Sequence, residues 1–290
     1  MPIPLPRTRA DLIPLLEERG LRLSKRLGQN FLVDPQLADA IVRDAGVTST
    51  DRVLEVGPGA GALTQPLLEA AAHVTSLELD RGLHALLEEA LGDHPRFTGV
   101  HGDCLAGRGL HPCLVAALDA PRPAPERVLV VANLPYSVGT VVTVHLLTHP
   151  SPPDALVLML QSEVVERLRA PVGTSDYGPL AVLVGTTTRV ELLRRVPPDV
   201  FFPRPRIESS IVRLTPDPEL RAAGGDVAAL SRVLAIGFRH RRKTLQRNLK
   251  GCVDVSTLRE LGLDPGARPE RIAPEDWVRL AAVAQFEGLA

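Results

Sequence analysis

Short apolar runs alternate with helical patterns along much of the chain, and this alternation restricts the fold more than any other feature. The apolar runs are rich in valine and leucine and lie at residues 51–57, 73–80, 97–103, 127–136 and 154–161. The helical patterns between them lie at residues 62–72, 82–91, 140–148 and 162–170. Strands that alternate with helices are typical of βαβ units, and strands without a polar face are typical of a sheet covered on both sides. The sequence therefore predicts an α/β fold with a mostly parallel sheet.

The rest of the chain follows a different pattern. Two further strands are predicted at residues 188–196 and 208–215, and we expect an antiparallel strand at this edge of the sheet. After Gly224 and Gly225 the pattern becomes helical, at residues 227–239, 243–250, 255–261 and 274–288. These helices predict a small all-helical C-terminal domain, with a boundary near residues 216–226.

The predicted elements divide the chain into three parts. Residues 1–50 form an N-terminal arm and helix that close over a ligand, residues 51–220 form the sheet domain, and residues 221–290 form the helical domain. Residues 105–125 lie between two predicted strands and are rich in proline and glycine, so we expect a surface loop there.

Composition excludes several classes of protein. Hydrophobic residues make up 44% of the 290 residues, enough for a packed core, yet no apolar run approaches the roughly 18 residues that a membrane span needs. The first residues lack the apolar segment of a secretion signal. The three cysteines, Cys104, Cys113 and Cys252, form no CxxC pair and predict reduced thiols. We expect a cytoplasmic protein, and a monomer by default.

A glycine-rich turn, Glu55 to Gly61, follows the first strand of the sheet domain. Glycines such as Gly57 and Gly59 let the backbone approach a ligand closely. No Lys-Ser or Lys-Thr follows, so the turn is not a P-loop. Glu78 lies 21 residues after Gly57 at the end of the next strand, where an acid can accept hydrogen bonds from ribose hydroxyls. These features fit both NAD and S-adenosylmethionine.

Asp103 favours S-adenosylmethionine over NAD. It ends the third strand, where its carboxylate can accept a hydrogen bond from the amino group of a bound adenosine. The carboxyl ends of parallel strands meet at one edge of an open sheet, which is where such sheets bind ligands. Taken alone, either acid is more simply a solvated strand end. The two acids together, each at the end of one of two successive strands, favour a ligand site.

The tetrapeptide Asn133-Leu134-Pro135-Tyr136 ends the fourth strand and fits methylation of the N6 amine of adenine. The lone pair of that amine is delocalised into the ring, and two acceptors aimed at its hydrogens would make it nucleophilic. The side-chain oxygen of Asn133 is one acceptor, and the carbonyl of Leu134 or of Pro135 is the other. The ring of Tyr136 can stack on an extruded base. A sulfonium leaving group needs no metal, and we expect none.

The chain at this point closely resembles the ribosomal RNA adenine dimethyltransferase family, in its small-subunit branch. The similarity extends from about residue 23 to residue 249. The matching segments are RLGQNFLVD (26–34), LEVGPGAGALT (54–64), LELD (77–80), GD (102–103), NLPY (133–136), QSEVVERLRA (161–170) with YGPLAVL (177–183), VFFPRPRIESSIVRL (200–214) and RRKTLQRNL (241–249).

The resemblance implies a Rossmann-like methyltransferase that uses S-adenosylmethionine to dimethylate two adjacent adenosines in the 3′-terminal hairpin of small-subunit rRNA during subunit maturation. It implies cofactor contacts from Asn30, Leu32, Gly57, Gly59, Glu78, Asp103 and Asn133. It also implies that Asn133, Pro135 and Tyr136 hold the target amine and that Phe201 helps to sandwich the base. The family's Ser-Thr-Pro after the tyrosine is replaced by Gly139-Thr140-Val141, where we expect altered helix capping.

A basic stretch predicts an RNA-binding surface in the C-terminal domain. Residues 189–250 hold fourteen Lys or Arg and six Asp or Glu, a local net charge of +8 in a chain of net charge −1. The candidate phosphate contacts in its densest part are Arg239, Arg241, Arg242, Lys243 and Arg247. Arg204 and Arg206 flank the proposed base-binding loop, and Arg22, Lys25 and Arg26 precede Asn30 and are expected to close over the site. Such contacts position RNA without reading its sequence.

Three other functions remain open on the sequence alone. A large-subunit rRNA adenine N6-methyltransferase of the macrolide-resistance type shares the cofactor motifs and the tetrapeptide, and segments LGQNFL and RRKTL favour the small-subunit branch over it. A non-catalytic ribosome assembly or transcription factor on the same fold is disfavoured by the intact Glu78, Asp103 and Asn133. An NAD oxidoreductase would need hydride-transfer residues that we do not identify.

Overall fold

The computed structural model describes residues 3–24, 27–107 and 109–286. The helices are α1 (Arg9–Glu18), α2 (Pro35–Ala45), α3 (Thr64–Ala70), α4 (Arg81–Leu91), α5 (Pro112–Asp119), α6 (Gly139–Thr148), α7 (Ser162–Leu168), α8 (Pro179–Gly185), α9 (Pro218–Ala223), α10 (Val227–Gly237), α11 (Leu245–Asn248), α12 (Val255–Glu260) and α13 (Pro274–Val283). The strands are β1 (Phe31–Leu32), β2 (Arg52–Val56), β3 (His73–Glu78), β4 (Phe97–His101), β5 (Leu105–Ala106), β6 (Gly109–Leu110), β7 (Val128–Asn133), β8 (Ala155–Gln161), β9 (Thr188–Val196), β10 (Phe201–Phe202) and β11 (Ser209–Pro216).

A seven-stranded sheet forms the framework, in the order β4-β3-β2-β7-β8-β11-β9. The first five strands pair in parallel with their neighbours. Strand β11 then runs antiparallel to β8, and β9 lies beyond it at the edge. The predicted α/β fold, a mostly parallel Rossmann-like sheet with an antiparallel strand toward one edge, is confirmed.

The apolar strands are buried because both faces of the sheet are covered. Residues Val128 to Ala132 of β7 are all buried, and so are Leu156 to Leu160 of β8. Valine and leucine fit such positions because the pleated surface packs their side chains on either side. Since β2, β3, β4 and β7 run parallel, their carboxyl ends meet at one edge, which is where the site lies.

Local sequence signals explain where the helix before the first central strand begins and ends. Asp34 precedes α2, and its carboxylate accepts a hydrogen bond from the backbone N–H of Leu37. Pro35 occupies the first turn, where its missing N–H costs no hydrogen bond. Gly46 ends the helix with a φ of 62°, a left-handed conformation that favours glycine.

The expectation of a surface loop at residues 105–125 is wrong. Strands β5 and β6 pair antiparallel, and helix α5 follows them. Its residues Leu114 and Leu118 are buried at 0% and 1% exposure. They are four residues apart and therefore share one face of the helix. Pro112 occupies the first turn of α5, so a proline that suggested a loop is in fact a helix-start residue.

Packing divides the chain into two compact units. The first comprises Met1–Ser162 with Glu191–Leu214, and the second comprises Glu163–Val190 with Thr215–Ala290. Residues 163–190 therefore cluster with the C-terminal helices, whereas the sequence assigned them to the sheet domain. The functional division at residues 1–50, 51–220 and 221–290 stays a prediction.

The second unit has its own aromatic core, within a bundle that includes α8, α10 and α13. Trp277 is fully buried, and its ring centroid lies 5.1 Å from that of Phe238. The buried Tyr177 donates a hydrogen bond from its hydroxyl to the carbonyl of Ile272 at 2.8 Å. This arrangement satisfies the phenol while its ring packs in the core.

Within the residues described, no helix is both long enough and apolar enough to pass through a bilayer.

Candidate active site

A cavity of about 280 Å³ opens at the carboxyl edge of the parallel strands. Its lining includes nine residues that the sequence assigns to cofactor or substrate binding, namely Asn30, Leu32, Gly57, Gly59, Glu78, Asp103, Asn133, Pro135 and Tyr136. These residues are widely separated along the chain, and the parallel sheet brings most of them together because successive strands end at the same edge.

The glycine-rich turn forms one wall of this cavity. Gly57 and Gly59 adopt φ angles of 69° and 60°, which L residues with a side chain rarely adopt. A Cβ atom on Gly57 would lie 3.4 Å from the Cδ atom of Pro135. The turn therefore lies in van der Waals contact with the tetrapeptide at the end of β7, and the positive φ angle, rather than a lack of space, favours glycine at position 57.

Glu78 is held by backbone donors at the end of β3. Its Oε2 atom accepts a hydrogen bond from the N–H of Gly59 at 2.9 Å, and its Oε1 atom accepts one from the N–H of Asp80 at 2.8 Å. The residue is 6% exposed, and burial raises the pKa of its carboxyl. Each carboxylate oxygen keeps a further lone pair, so the two oxygens together can still accept hydrogen bonds from the two hydroxyls of a diol.

Asp103 and Cys104 form the part of the cavity beyond β4. The Oδ1 atom of Asp103 accepts a hydrogen bond from the N–H of Leu105 at 3.0 Å, which fixes this exposed carboxylate in place. Burial, with a smaller contribution from the charge of Asp103, raises the pKa of the Cys104 thiol to about 12. The thiol is therefore protonated at neutral pH, which makes it a weak nucleophile.

The side-chain amide of Asn133 has a defined orientation. Its Nδ2 atom donates a hydrogen bond to the backbone carbonyl of Asn30 at 3.1 Å. Because that carbonyl can only accept, the nitrogen of the Asn133 amide must face it, and the Oδ1 oxygen is the atom left to accept from a ligand.

The structure also distinguishes the two carbonyls that follow Asn133. The carbonyl of Pro135 accepts hydrogen bonds from the N–H groups of Val138 and Gly139 at 3.1 and 3.0 Å, at the start of α6. Among the residues described, no backbone N–H donates to the carbonyl of Leu134. The carbonyl of Leu134 is therefore the second acceptor that the geometry leaves open. Pro135 instead shapes the turn.

Tyr136 is fixed by a residue that the sequence did not single out. Its hydroxyl lies 2.7 Å from the Oγ atom of Ser209, a fully buried residue of β11. Burial raises the pKa of the Tyr136 phenol, so it remains neutral at physiological pH. Ser209 lies in a matching segment, but no local pattern connects it to Tyr136, since the contact depends on the pairing of β11 with β8.

Two further cavity residues were missed. Glu55 is 1% exposed, and its Oε2 atom accepts hydrogen bonds from Thr64 and Ser76 at 2.8 and 2.7 Å, while Oε1 is buried without a partner. Burial raises the pKa of Glu55 to about 7. Leu79 lines the cavity and is 44% exposed. In the sequence, only its position between Glu78 and Asp80 indicated that Leu79 could line a ligand site.

Phe201 does not lie where the resemblance implied. It is not among the residues that line the cavity, and it is 4% exposed in the core cluster that contains Leu32 and Ile41. Strand β10 pairs with β1 so that Phe201 faces Leu32. This pairing turns the ring into the core, so a base sandwich by Phe201 would require a different conformation.

The candidate RNA contacts are exposed. Arg204 forms an ion pair with Asp199 at 3.0 Å, with its side chain 67% exposed, and Arg206 is exposed nearby. The predicted contacts in the second unit, Arg239, Arg241, Arg242, Lys243 and Arg247, are exposed as well. We call residues 239–247 the basic turn. Arg22 is exposed, whereas Lys25 and Arg26 lie outside the described residues.

Asn248 supports the basic turn from the protein side. The residue is 9% exposed, and its Nδ2 atom donates hydrogen bonds to the carbonyls of His240 and Lys243 at 3.1 and 3.4 Å. These bonds shape the backbone, whereas the cationic side chains themselves extend into solvent. The described residues include no cluster of three or more His, Cys, Asp or Glu arranged to hold a metal ion.

The sequence is similar to a known family and to proteins of established name. A family model described as ribosomal RNA adenine dimethylase matches residues 20–285. Ribosomal RNA small subunit methyltransferase A of Hahella chejuensis is 40% identical over 267 residues, which cover 91% of this chain and 94% of that protein. The protein of the same name from Chromohalobacter salexigens is 41% identical over 258 residues, which cover 89% of both chains.

Solved structures give the same picture of the fold. A dimethyladenosine transferase from Plasmodium falciparum matches with a TM-score of 0.67 at 24% identity, over 88% of this chain and 99% of that chain. The 23S rRNA methyltransferase ErmE matches with a TM-score of 0.56 at 28% identity, over 87% of this chain and 98% of that chain. Both likenesses extend over nearly the full length of the matched chains.

Proposed function

The chain belongs to the ribosomal RNA adenine dimethylase family, and we propose that it transfers methyl groups from S-adenosylmethionine to the N6 amines of two adjacent adenosines in the 3′-terminal hairpin of small-subunit rRNA. The substrate is small-subunit rRNA, either as free RNA or within an immature small ribosomal subunit. The named relatives at about 40% identity support the small subunit over the large one.

The observation that carries the reaction type is the pair of free acceptors at Asn133 and Leu134. The Asn133 amide is oriented by the carbonyl of Asn30, so that its Oδ1 atom is available, and the carbonyl of Leu134 is the adjacent open acceptor. An adenine amine has two hydrogens, and two acceptors drawing on both localise its lone pair on nitrogen. Such preorganised acceptors stabilise the charge that develops as the amine attacks.

The cavity residues fit S-adenosylmethionine by their chemistry. Glu78 suits the two ribose hydroxyls, Asp103 the adenine amino group and the exposed Leu79 the face of a planar ring. The unpartnered Oε1 atom of Glu55 suits a cationic group of the cofactor. Positions 57 and 59, where side chains would be strained, let the backbone approach closely. When bound, this cofactor supplies a methyl group on a sulfonium, whose transfer leaves a neutral thioether.

Residues around the two acceptors hold the adenine in place for the transfer. The ring of Tyr136, anchored through Ser209, is assigned to stacking on the extruded adenine. After the amine attacks the methyl carbon, it carries an extra proton, which solvent takes up. Holding amine and methyl group in line supplies much of the rate, so the chain needs no strong base.

The basic turn and the pair Arg204 and Arg206 are assigned to the RNA backbone. Exposed Arg and Lys side chains attract phosphates and release counterions on binding, without reading bases. The choice of adenine is therefore made at Asn133 and Leu134, and the choice of RNA region depends on how the cations fit the shape of the substrate.

The decisive experiment uses labelled S-adenosylmethionine with small and large ribosomal subunits that lack adenine dimethylation. We expect label on adjacent adenosines of the small subunit, located by mapping the modified base. Label on the large subunit instead would support the macrolide-resistance type of activity. Cofactor binding without transfer to either subunit would support a non-catalytic assembly factor, and tight binding of NADH would support an oxidoreductase.

A further inference from the structure

We propose that Gln29 is a positioning residue for methyl transfer, which joins the segment that orients Asn133 to the strand end that carries Glu78. This inference rests on the proposed function, because it concerns how the same site is held. It assigns no contact with the cofactor or the RNA to Gln29 itself.

Both polar atoms of the Gln29 amide are used. Its Oε1 atom accepts a hydrogen bond from the N–H of Ser24 at 2.7 Å, and its Nε2 atom donates one to the Oδ2 atom of Asp80 at 3.0 Å. A backbone donor on one side and a carboxylate on the other fix the orientation of the amide. The bond to Asp80 is charge-assisted and therefore among the stronger kinds.

Asp80 is itself part of the frame around Glu78. Its Oδ1 atom caps α4 by accepting from the N–H groups of Gly82 and Leu83 at 2.9 and 3.2 Å. Its own N–H donates to the Oε1 atom of Glu78 at 2.8 Å. Gln29 is thus one residue removed from the carboxylate assigned to the ribose hydroxyls.

The neighbour of Gln29 reaches the other half of the site. The side chain of Asn30 donates to the carbonyl of Gly28 at 3.0 Å, and the backbone carbonyl of Asn30 accepts from Nδ2 of Asn133 at 3.1 Å. Residues 28–30 therefore present that carbonyl at a fixed place. Among the residues described, the Gln29 side chain ties this segment to the start of α4, so its loss should loosen the carbonyl that orients Asn133.

The expected consequence is a loss of turnover larger than the loss of RNA binding. A small displacement of a positioning group can lower a rate by about a hundredfold, since transfer depends on alignment. We expect Gln29→Ala to lower kcat by roughly ten- to a hundredfold. The cofactor dissociation constant should rise by less, and the KM for the RNA substrate should change little.

An exchange of donor and acceptor separates positioning from a general structural role. In Gln29→Glu two carboxylates face each other, so neither can donate a hydrogen bond. In Asp80→Asn two amide NH2 groups face each other, so neither can accept one. Each single variant should therefore have a lower kcat. In the double variant the new carboxylate at position 29 can accept a hydrogen bond from the new amide at position 80. Asn can still cap α4, because it is as good a capping residue as Asp. We expect the double variant to recover at least tenfold over the worse single variant.

A matched control lies on the same arm and the same helix. Arg19 donates to the Oε1 atom of Glu89 at 2.9 Å, in an exposed ion pair between the arm and α4. Exposed ion pairs contribute little to stability, so Arg19→Ala should keep kcat within about twofold of the wild-type value. Its side chain does not line the cavity.

The measurements are kcat on the under-methylated small subunit, cofactor affinity by calorimetry without RNA, and the thermal midpoint of each variant. Wild-type turnover in both single variants and in Gln29→Ala, or no recovery in the folded double variant, would overturn the role of Gln29. If the wild-type protein binds cofactor but methylates no small subunit, the proposed function fails instead. Gln29→Ala introduces no charge and decides the matter if Gln29→Glu does not fold.

Discussion

The edge of the sheet and the basic turn are both assigned to the same RNA, yet they are built in opposite ways. At the sheet edge Glu55 and Glu78 are buried, Asn133 is partly buried and Asp103 is exposed, and each side chain is held by specific partners, as Glu78 is by two backbone N–H groups. In the basic turn the charged groups of residues 239–247 are exposed, and only the backbone beneath them is held, by Asn248.

The difference shows how each region acts. A buried acceptor works through its position, because a low-dielectric site strengthens each hydrogen bond and gives it a direction. An exposed cation works through its charge, which solvent screens and which flexible side chains deliver without exact placement. Single substitutions should therefore have large effects at the sheet edge and small, salt-dependent effects in the basic turn. Four predictions test this contrast.

The largest effect is expected at Asn133. Asn133→Ala removes the oriented Oδ1 acceptor, and loss of one preorganised hydrogen-bonding group typically lowers a rate by about 10²–10³. We expect kcat to fall by at least that factor while the thermal midpoint changes little, since Asn133 is only partly buried. Near-normal turnover in the folded variant would contradict the assigned mechanism.

Charge reversal in the basic turn should act on affinity instead. The double variant Arg241→Glu with Arg242→Glu should weaken RNA binding by roughly ten- to a hundredfold at low salt. Two lost phosphate contacts should reduce the slope of log affinity against log salt by about 1.5. Filter binding over a salt series measures both. Arg259→Glu, an exposed charge of α12 outside the turn, is the control, and an unchanged slope in the double variant would remove the turn from the RNA interface.

The third prediction concerns the buried Glu55, whose ionisation should lower the free energy of unfolding of the protein. Burial raises the pKa of Glu55 from 4.5 to about 7, so the folded protein binds this proton more tightly than the unfolded chain. Between those pH values stability falls as pH rises, and the loss is complete above pH 7. A glutamine cannot ionise, so Glu55→Gln should stabilise the cofactor-free protein by on the order of 1 kcal/mol at pH 8 and little at pH 4.5. Urea unfolding at the two pH values checks this, and an equal effect at both would exclude ionisation as the cause.

The smallest effect is expected from the anchor of Tyr136. Tyr136→Phe keeps the ring for stacking but loses the hydrogen bond to Ser209, so we expect a loss of only a few-fold in kcat/KM. Ser209→Ala should have a similar effect, and the two together should not add, because they remove the same bond. Steady-state kinetics of the three variants test this, and a loss above a hundredfold in Tyr136→Phe would give the hydroxyl a direct role.

Much of the sheet and of its site was predictable because the evidence for both is local. Strands without polar residues indicate buried parallel strands, and the order of β2, β3, β4 and β7 then brings Gly57, Glu78, Asp103 and Asn133 to one edge. Helix α5 was missed for an equally local reason, since its proline and the surrounding glycines resembled a loop while Leu114 and Leu118 carried the helical spacing.

The sequence by itself determined the chemistry of this protein: which acids and amides end the strands, which turn must be glycine, and where positive charge accumulates. The tertiary structure decided which atoms of those residues are free to act. The carbonyl of Leu134 rather than that of Pro135 is open, Phe201 is turned into the core, and Gln29 connects Asp80 to the segment beside Asn133. These outcomes depend on hydrogen bonds between residues far apart in the chain, and residue type alone does not specify which partner each atom finds.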